Sequence, residues 1–167
     1  LVRSGFKKFV LCDFDKVEYS NLNRQFYFLD QAGMLKTEAL KTNLLRINPG
    51  LEPGIVNERI SADNVKAIFG RCDVIVEAFD RAEMKKIIAE AYAGSGKLFV
   101  SASGLAGWGN SDEIKITNRN GSFFIVGDLK SGISGKLPPC SPRVNVAAAK
   151  QADIILEWVL NLDRITG

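Results

Sequence analysis

Three short apolar runs, KKFVLCD (7–13), DVIVEAF (73–79) and KLFVSA (97–102), alternate with segments of helical spacing, and this alternation constrains the fold more than any other feature. Each run is bounded by turn-type residues, the pattern of a strand buried on both faces. Strands separated by helices must run parallel, joined by right-handed crossovers. The predicted class is α/β, a Rossmann-like doubly wound sheet that is mainly parallel.

The connecting segments support that order. Gly33 to Ile47 places Leu35, Ala39, Leu40, Leu44 and Ile47 on one helical face, and Asn48-Pro49-Gly50 stops it. A weakly signalled strand is predicted around Gly54 to Arg59, then a helix from Ala62 to Phe69 opened by Ser61 or Asp63. Arg81 to Ala93 reads as a helix with Met84, Ile87, Ile88 and Ala91 inward. Beyond Ser103 to Asn110 (SGLAGWGN) the pattern changes to alternation in Glu113–Thr117 and Ser122–Val126, flanking Asn118-Arg119-Asn120-Gly121. That is a hairpin, so the sheet gains an antiparallel edge. A Gly/Pro-rich loop from Asp128 to Pro142 precedes a long helix from Val144 to about Leu162, with Ala147, Ala148, Ala152, Ile155, Leu156 and Val159 as its core face. At the other end, LVRSG reads as the last turn of a helix closed by Gly5, and the chain starts without a Met, as a fragment would.

Composition narrows the chemistry. With 167 residues, 46% hydrophobic and 25% charged, the chain has material for one sizeable core and is predicted to be a single domain over 1–167. No apolar stretch approaches the roughly 20 residues of a membrane span, which predicts a soluble protein. A net charge of +3 is too small to argue for a nucleic-acid surface. The three cysteines, at 12, 72 and 140, are too scattered for a disulfide framework or a C-x-x-C zinc pair. Histidine is absent, which removes Ser-His-Asp and Cys-His nucleophile schemes, His-ligated metals and the usual general base. Catalysis must run on carboxylates, Lys, Arg and backbone.

Several residues could carry it. Asp13 ends the first apolar run, where a carboxylate can hold ribose hydroxyls, and where it can equally cap the following turn. Asp15 is a weaker candidate of the same kind. Asn21, Asn23, Arg24 and Gln25 crowd amide and guanidinium donors just past that strand end, and Lys36 opens the next helix, a set that suits a polyphosphate. Asp80 ends the second run ahead of a helix, where it fits either Mg²⁺ or a helix cap. Glu77 is expected to point into the fold or to a helix terminus. Cys140, in LPPCSPR with Arg143 close in sequence, is either a reactive or an inert thiol, whereas Cys12 and Cys72 read as structural. Gly104, Gly107 and Gly109 either admit a ligand or turn the chain, the second being the simpler role.

The string DFDKVEYSNLNRQ, from Asp13 to Gln25, resembles the D-x-D-x-V-x-x-S-N-L-N-R-Q signature of the ThiF/MoeB/HesA family, relatives of the ubiquitin-activating enzymes. The resemblance continues through Lys36-Thr37-Glu38, Arg46-Ile47-Asn48-Pro49, the strand ending at Asp80, the Ser-Gly-x-x-Gly loop at Ser103–Gly107, and Pro142-Arg143-Val144. It is nearest the short ThiF branch that lacks zinc cysteines. It implies ATP-dependent adenylation of the C-terminal glycine carboxylate of a ubiquitin-fold sulfur carrier such as ThiS, in thiamine biosynthesis, by a cytoplasmic homodimer using ATP and Mg²⁺ and no zinc. Carried over by position, Asp13 would bind the ribose, Arg24 and Lys36 the phosphates, and Asp80 the Mg²⁺, with Asn21 and Gln25 supporting the phosphate pocket and Asp15 counted among the nucleotide-binding residues. Arg24, Lys36 and Asp80 are then the catalytic set. A carboxylate nucleophile is already ionised at neutral pH, so the missing histidine is no obstacle.

Two departures qualify this. The family's G-x-G-G-x-G-S loop and first strand do not appear ahead of Leu1, so the expected sheet would lack its central strand and its phosphate cradle. No C-terminal zinc or rhodanese segment follows, so any sulfur transfer would use Cys140 or another protein. Other carboxylates in the family's range are those of a molybdopterin carrier, a peptide C-terminus and a modified tRNA base. A non-catalytic carrier-binding or dimerising module is the alternative from a different class, and a nicotinamide oxidoreductase shares the Asp13 logic but leaves the Asn-Arg-Gln cluster without a purpose.

Overall fold

In the computed structural model, residues 1–132 and 137–166 are described, with side chains as far as Asn161. The chain divides into two compact units, Leu1–Gly70 and Arg71–Gly167.

The first unit opens with a 3₁₀ turn, Val2–Ser4, ended as the LVRSG reading predicts: Gly5 is left-handed (φ 95°) and its N–H donates to the Val2 carbonyl. Strand β1 (Lys8–Cys12) pairs in parallel with β2 (Glu52–Val56), from Lys8 opposite Glu52 to Cys12 opposite Val56. Pro53 and Gly54 hid β2 from the sequence, which predicted it two residues later. Alternate amides of a strand face opposite edges, and Glu52 N–H donates to Lys7 O, so the amide that Pro53 lacks belongs to the edge away from β1. β1 is not the doubly buried strand expected: among the described residues it pairs only with β2, and Val10 is 37% exposed. Between the strands lie two 3₁₀ turns, Tyr19–Asn21 and Leu29–Gln31, then α1 (Lys36–Ile47), which packs on β2. α1 starts three residues later than its apolar spacing suggested. Gly33 (φ 89°) turns the chain, and Leu35 is extended and bridged to Lys16. The short α2 (Val65–Phe69) is preceded by a turn in which Asn64 Oδ1 accepts the Ser61 N–H at 2.8 Å.

In the second unit a four-stranded sheet has the order β3-β4-β6-β5, where β3 is Val74–Val76, β4 Leu98–Ala102, β5 Lys115–Asn118 and β6 Phe123–Gly127. β3, β4 and β6 are parallel, and β5 is the antiparallel edge that the hairpin signal predicted. All five β4 residues are buried, as a strand covered on both faces must be. Helices α3 (Ala82–Tyr92) and α4 (Ser141–Thr166) both contact it, and Phe99 stacks on Phe123 with ring centroids 4.8 Å apart. β3 is only three residues long and an edge, so Val76 is 47% exposed. The buried face of α4 is Arg143, Ala147, Gln151, Ile154 and Ile155. Of the predicted face, Ala147 and Ile155 are buried and Ala152, Leu156 and Val159 half-buried, while Ala148 is exposed: the fully buried stripe runs through 143, 147, 151 and 154–155, to one side of the predicted one. No helix among the described residues is long and apolar enough to cross a membrane.

Candidate active site

The turn after β1 is built by its own carboxylates. Asp13 N–H donates to Val56 O, and Asp13 Oδ1 accepts the Asp15 N–H at 2.8 Å. One oxygen of Asp13 therefore caps the turn, and the side chain is still 39% exposed. The two roles left open by the sequence are compatible. Lys36, the first residue of α1, donates its backbone N–H to Asp15 O. Its ammonium lies 3.0 Å from Asp15 Oδ2 and 4.0 Å from Asp13 Oδ2, with the side chain only 12% exposed. The result is a compact cluster of two half-open carboxylates around one ammonium.

The amide-rich segment divides into braces and open groups. Asn21 is buried, and its Oδ1 accepts the Glu18 N–H at 3.1 Å. Its side chain is thereby used to shape the 3₁₀ turn, and the same device recurs where Gln31 Oε1 accepts the Phe28 N–H at 2.9 Å. Arg24 uses one Nη for Ser20 O (3.0 Å) and Asn23 Oδ1 (2.8 Å), and its other Nη has no partner among the described residues. Gln25 donates its backbone N–H to Asn21 O, while its side-chain Oε1 is buried without a hydrogen bond. Sequence reasoning missed Tyr27. Burial, reinforced by the Asp13 charge, pushes its phenol up to about 12. It also missed Phe14, half exposed with the Arg59 guanidinium 5.8 Å from its ring centroid. Their only signal was an aromatic next to, or two residues beyond, a polar candidate.

In the second unit Asp80 is exposed, and the N-cap of α3 is Arg81 with no side-chain cap bond. The helix-cap role considered for Asp80 is therefore not what the structure shows. Mg²⁺ typically takes one or two protein carboxylates, with substrate phosphates and waters completing its shell. Asp80 fits that donor set as a single open carboxylate; no group of three or more Cys, Asp or Glu that could hold a metal occurs among the described residues. Glu77, by contrast, is buried and bonded to Lys85, Ser101 and the Phe79 amide. A lone acid inside an apolar run was its signal.

The glycine loop after β4 is held by Arg143. Its Nη1 donates to Gly109 O (3.0 Å) and Asn110 O (3.1 Å), and its Nη2 to Gly104 O (3.3 Å) and Asp128 Oδ2 (2.5 Å). Gly104 is needed because its φ is +76° and a Cβ there would lie 2.5 Å from the Leu129 backbone N, and Gly107 because its φ is +83°. These are backbone requirements within the loop, the simpler of the two roles. Cys140 is half-buried with its Sγ donating to Pro138 O at 3.7 Å, while the Nη atoms of Arg143 are committed to the loop and Asp128. Burial pushes the Cys12 and Cys72 thiols up.

The model of the ThiF family matches residues 1–161. The chain belongs to the ThiF family. This ThiF-family chain is 32% identical over 173 residues to the adenylyltransferase and sulfurtransferase UBA4 of Candida glabrata, covering 96% of the chain and 39% of that protein. Over 72 residues it is 42% identical to the ubiquitin-like modifier-activating enzyme 5 of Caenorhabditis briggsae, covering 42% of the chain and 17% of that protein. The chain thus spans less than half the length of these curated relatives. Among solved structures it is similar to E. coli tRNA N6-threonylcarbamoyladenosine dehydratase, TcdA, in complex with ATP, with a TM-score of 0.80 at 17% identity, covering 96% of this chain and 80% of that one. E. coli MccB with ATP matches at a TM-score of 0.69 and 20% identity, over 95% of this chain and 50% of that one. These likenesses place the fold among ThiF-type α/β domains.

Proposed function

We propose that this ThiF-family chain catalyses the adenylation of a C-terminal glycine carboxylate on a ubiquitin-fold sulfur carrier of the ThiS kind, serving thiamine biosynthesis. The observation that carries the reading is the half-open Asp13 carboxylate at the end of β1, set 4.0 Å from the largely covered Lys36 ammonium; in the same unit one Nη of Arg24 has no partner among the described residues. The similarity to the adenylyltransferase and sulfurtransferase UBA4 along 96% of the chain supports the adenylation part of this reading.

In this reading Asp13 accepts hydrogen bonds from ribose hydroxyls through the oxygen that the turn leaves free. Asp15 keeps Lys36 in place, and Arg24 and Lys36 offset phosphate charge. Asn21 and Gln25 shape and line the segment that carries Arg24. In the second unit Asp80 is the carboxylate offered to Mg²⁺, which when bound neutralises phosphate charge. A carrier carboxylate oxygen attacks the α-phosphorus, the bond to the bridging oxygen of the β-phosphate breaks, and pyrophosphate leaves with that electron pair. No proton moves in this step, so a chain without histidine can perform it by alignment and charge neutralisation.

The full-length protein is further proposed to act as a homodimer. Tyr19, Phe26, Phe28 and Leu29, all more than half exposed in the first unit, supply apolar surface for it. Sedimentation of the full-length protein measures this, and a monomer at micromolar concentration would remove the proposal.

The function itself is tested by ATP–pyrophosphate exchange with the full-length protein. Exchange that depends on a carrier ending in Gly-Gly is expected. The fold's likeness to TcdA favours a second substrate, the carboxylate of a modified tRNA base. Exchange with tRNA and none with any carrier of the source organism would select that substrate and sink the first. Cys140→Ser is expected to leave exchange within about twofold of wild type, because no thiol enters acyl-adenylate formation. Loss of exchange at an unchanged melting temperature would place Cys140 in the first step instead.

A further inference from the structure

Glu77 is 1% exposed, lies within the second unit, and has no part in the adenylation chemistry. A carboxylate taken so fully from water persists only when its lone pairs are met. Its Oε1 accepts the Phe79 N–H at 2.5 Å and Lys85 Nζ at 2.8 Å. Its Oε2 accepts the Ser101 hydroxyl at 2.5 Å and Lys85 Nζ at 3.1 Å. Lys85 Nζ donates in addition to Ala102 O at 2.7 Å. One ion pair therefore joins the exit of β3, the end of β4 and the first turns of α3.

Asp80 stands between the tied points, directly after Phe79 and in the turn that leads to α3. Its own side chain makes no hydrogen bond among the described residues, and the helix start next to it has no side-chain cap. Apart from the exposed Arg81–Glu83 pair at 3.9 Å and the Arg81 carbonyl that accepts the Met84 and Lys85 amides, the described residues hold this turn through its two flanks, and both flanks end on the Glu77 carboxylate. Stability alone is a poor reason for the pair, since well-packed apolar side chains commonly replace a buried ion pair without loss. Its location supplies a better one. We propose that Glu77 and Lys85 are positioning residues for Asp80, a buried carboxylate and its partly covered ammonium that together fix the strand-to-helix turn from which Asp80 is presented. The inference rests on the reading that Asp80 takes part in the nucleotide chemistry.

The test is a cycle on the full-length protein, read by carrier-dependent pyrophosphate exchange and thermal melting. Lys85→Met leaves Glu77 buried and unpaired and is expected to melt early, so the decisive variant is Glu77→Gln/Lys85→Met, which removes both charges. It should melt cooperatively, keep the KM for carrier, and lose about tenfold to a hundredfold in kcat. Lys85→Arg should recover most of that rate. In the unliganded variant, amide exchange at Phe79 should accelerate. Adding Asp80→Asn should bring the rate to that of Asp80→Asn alone and no lower, because groups acting through one another are not additive. Independent, multiplicative losses would overturn the proposal, as would wild-type kcat in the folded double variant. A double variant that does not melt cooperatively would overturn it too, making the pair a stability element. If wild type exchanges and Asp80→Asn alone is silent, the role of Asp80 falls and the positioning with it, while the adenylation reading stands; if wild type shows no exchange, adenylation itself has failed.

Discussion

Asp80→Asn is expected to slow carrier-dependent pyrophosphate exchange by about 10²–10³-fold while the protein melts as wild type does. The substitution keeps the shape of the side chain and removes its charge. Because Asp80 is exposed and caps nothing, the structural cost should stay within about 0.5 kcal/mol, as for ordinary surface changes. The catalytic cost is larger because a lost carboxylate would weaken Mg²⁺ and leave phosphate charge unneutralised. Exchange measured across a Mg²⁺ titration, beside a thermal melt, checks both halves. An unchanged rate with an unchanged Mg²⁺ dependence would reduce Asp80 to an ordinary surface acid.

The largest stability effect is expected at Arg143. Arg143→Ala should cost about 3–5 kcal/mol, because it removes the ion-pair partner of the buried Asp128 carboxylate, leaving it only the Ser131 and Lys130 donors, and releases three loop carbonyls, those of Gly104, Gly109 and Asn110. A domain whose whole margin is about 5–15 kcal/mol would be close to unfolding. Arg143→Lys should rescue only part of it, since a single ammonium cannot span the fork that two Nη atoms make. Urea melts at neutral pH measure the loss, and a change under about 1 kcal/mol would show that the loop is held by other contacts.

Acid should expose the same site. Burial pushes Asp128 up, but hydrogen bonds from the Ser131 hydroxyl and amide, the Lys130 amide and the Arg143 charge together lower it from 3.8 to about 2. A carboxylate depressed in the folded state stabilises above its unfolded pKa and loses that contribution as pH falls through the folded value. Here about 2 kcal/mol is present above about pH 4 and disappears toward about pH 2. Asp128→Asn should therefore flatten the acid limb of the stability curve, and an unaltered limb would assign it to other carboxylates.

How much of this was legible beforehand follows from how far each interaction reaches along the chain. The α/β class, the parallel β3-β4 order and the β5-β6 hairpin were readable because apolar periodicity and turn residues act over a few neighbours. The signature at Asp13–Gln25 was likewise readable as a string, and with it the family. Boundaries slipped wherever a distant partner overrode local preference. β2 runs through Pro53 and Gly54 because Lys7 and Val56 carbonyls complete the ladder with Glu52 and Asp13, and after β3 the Glu77 amide still donates to Val100 O while its carboxylate folds back on the Phe79 amide, which leads the chain out of the sheet.

Side-chain roles followed the same division. Residue types alone put Asp13, Arg24, Lys36 and Asp80 on the list of candidates. Which of their atoms stay open was decided by tertiary contacts: the Asp15 amide on one oxygen of Asp13, Asp15 beside Lys36, and Ser20 and Asn23 on one end of Arg24. Glu77 and Arg143 were least legible, since their partners Ser101, Asp128, Gly104 and Gly109 lie 15 to 39 residues away. Burial turns such a charge from a solvated surface group into the hub of a loop, and no local pattern records burial that the rest of the chain supplies.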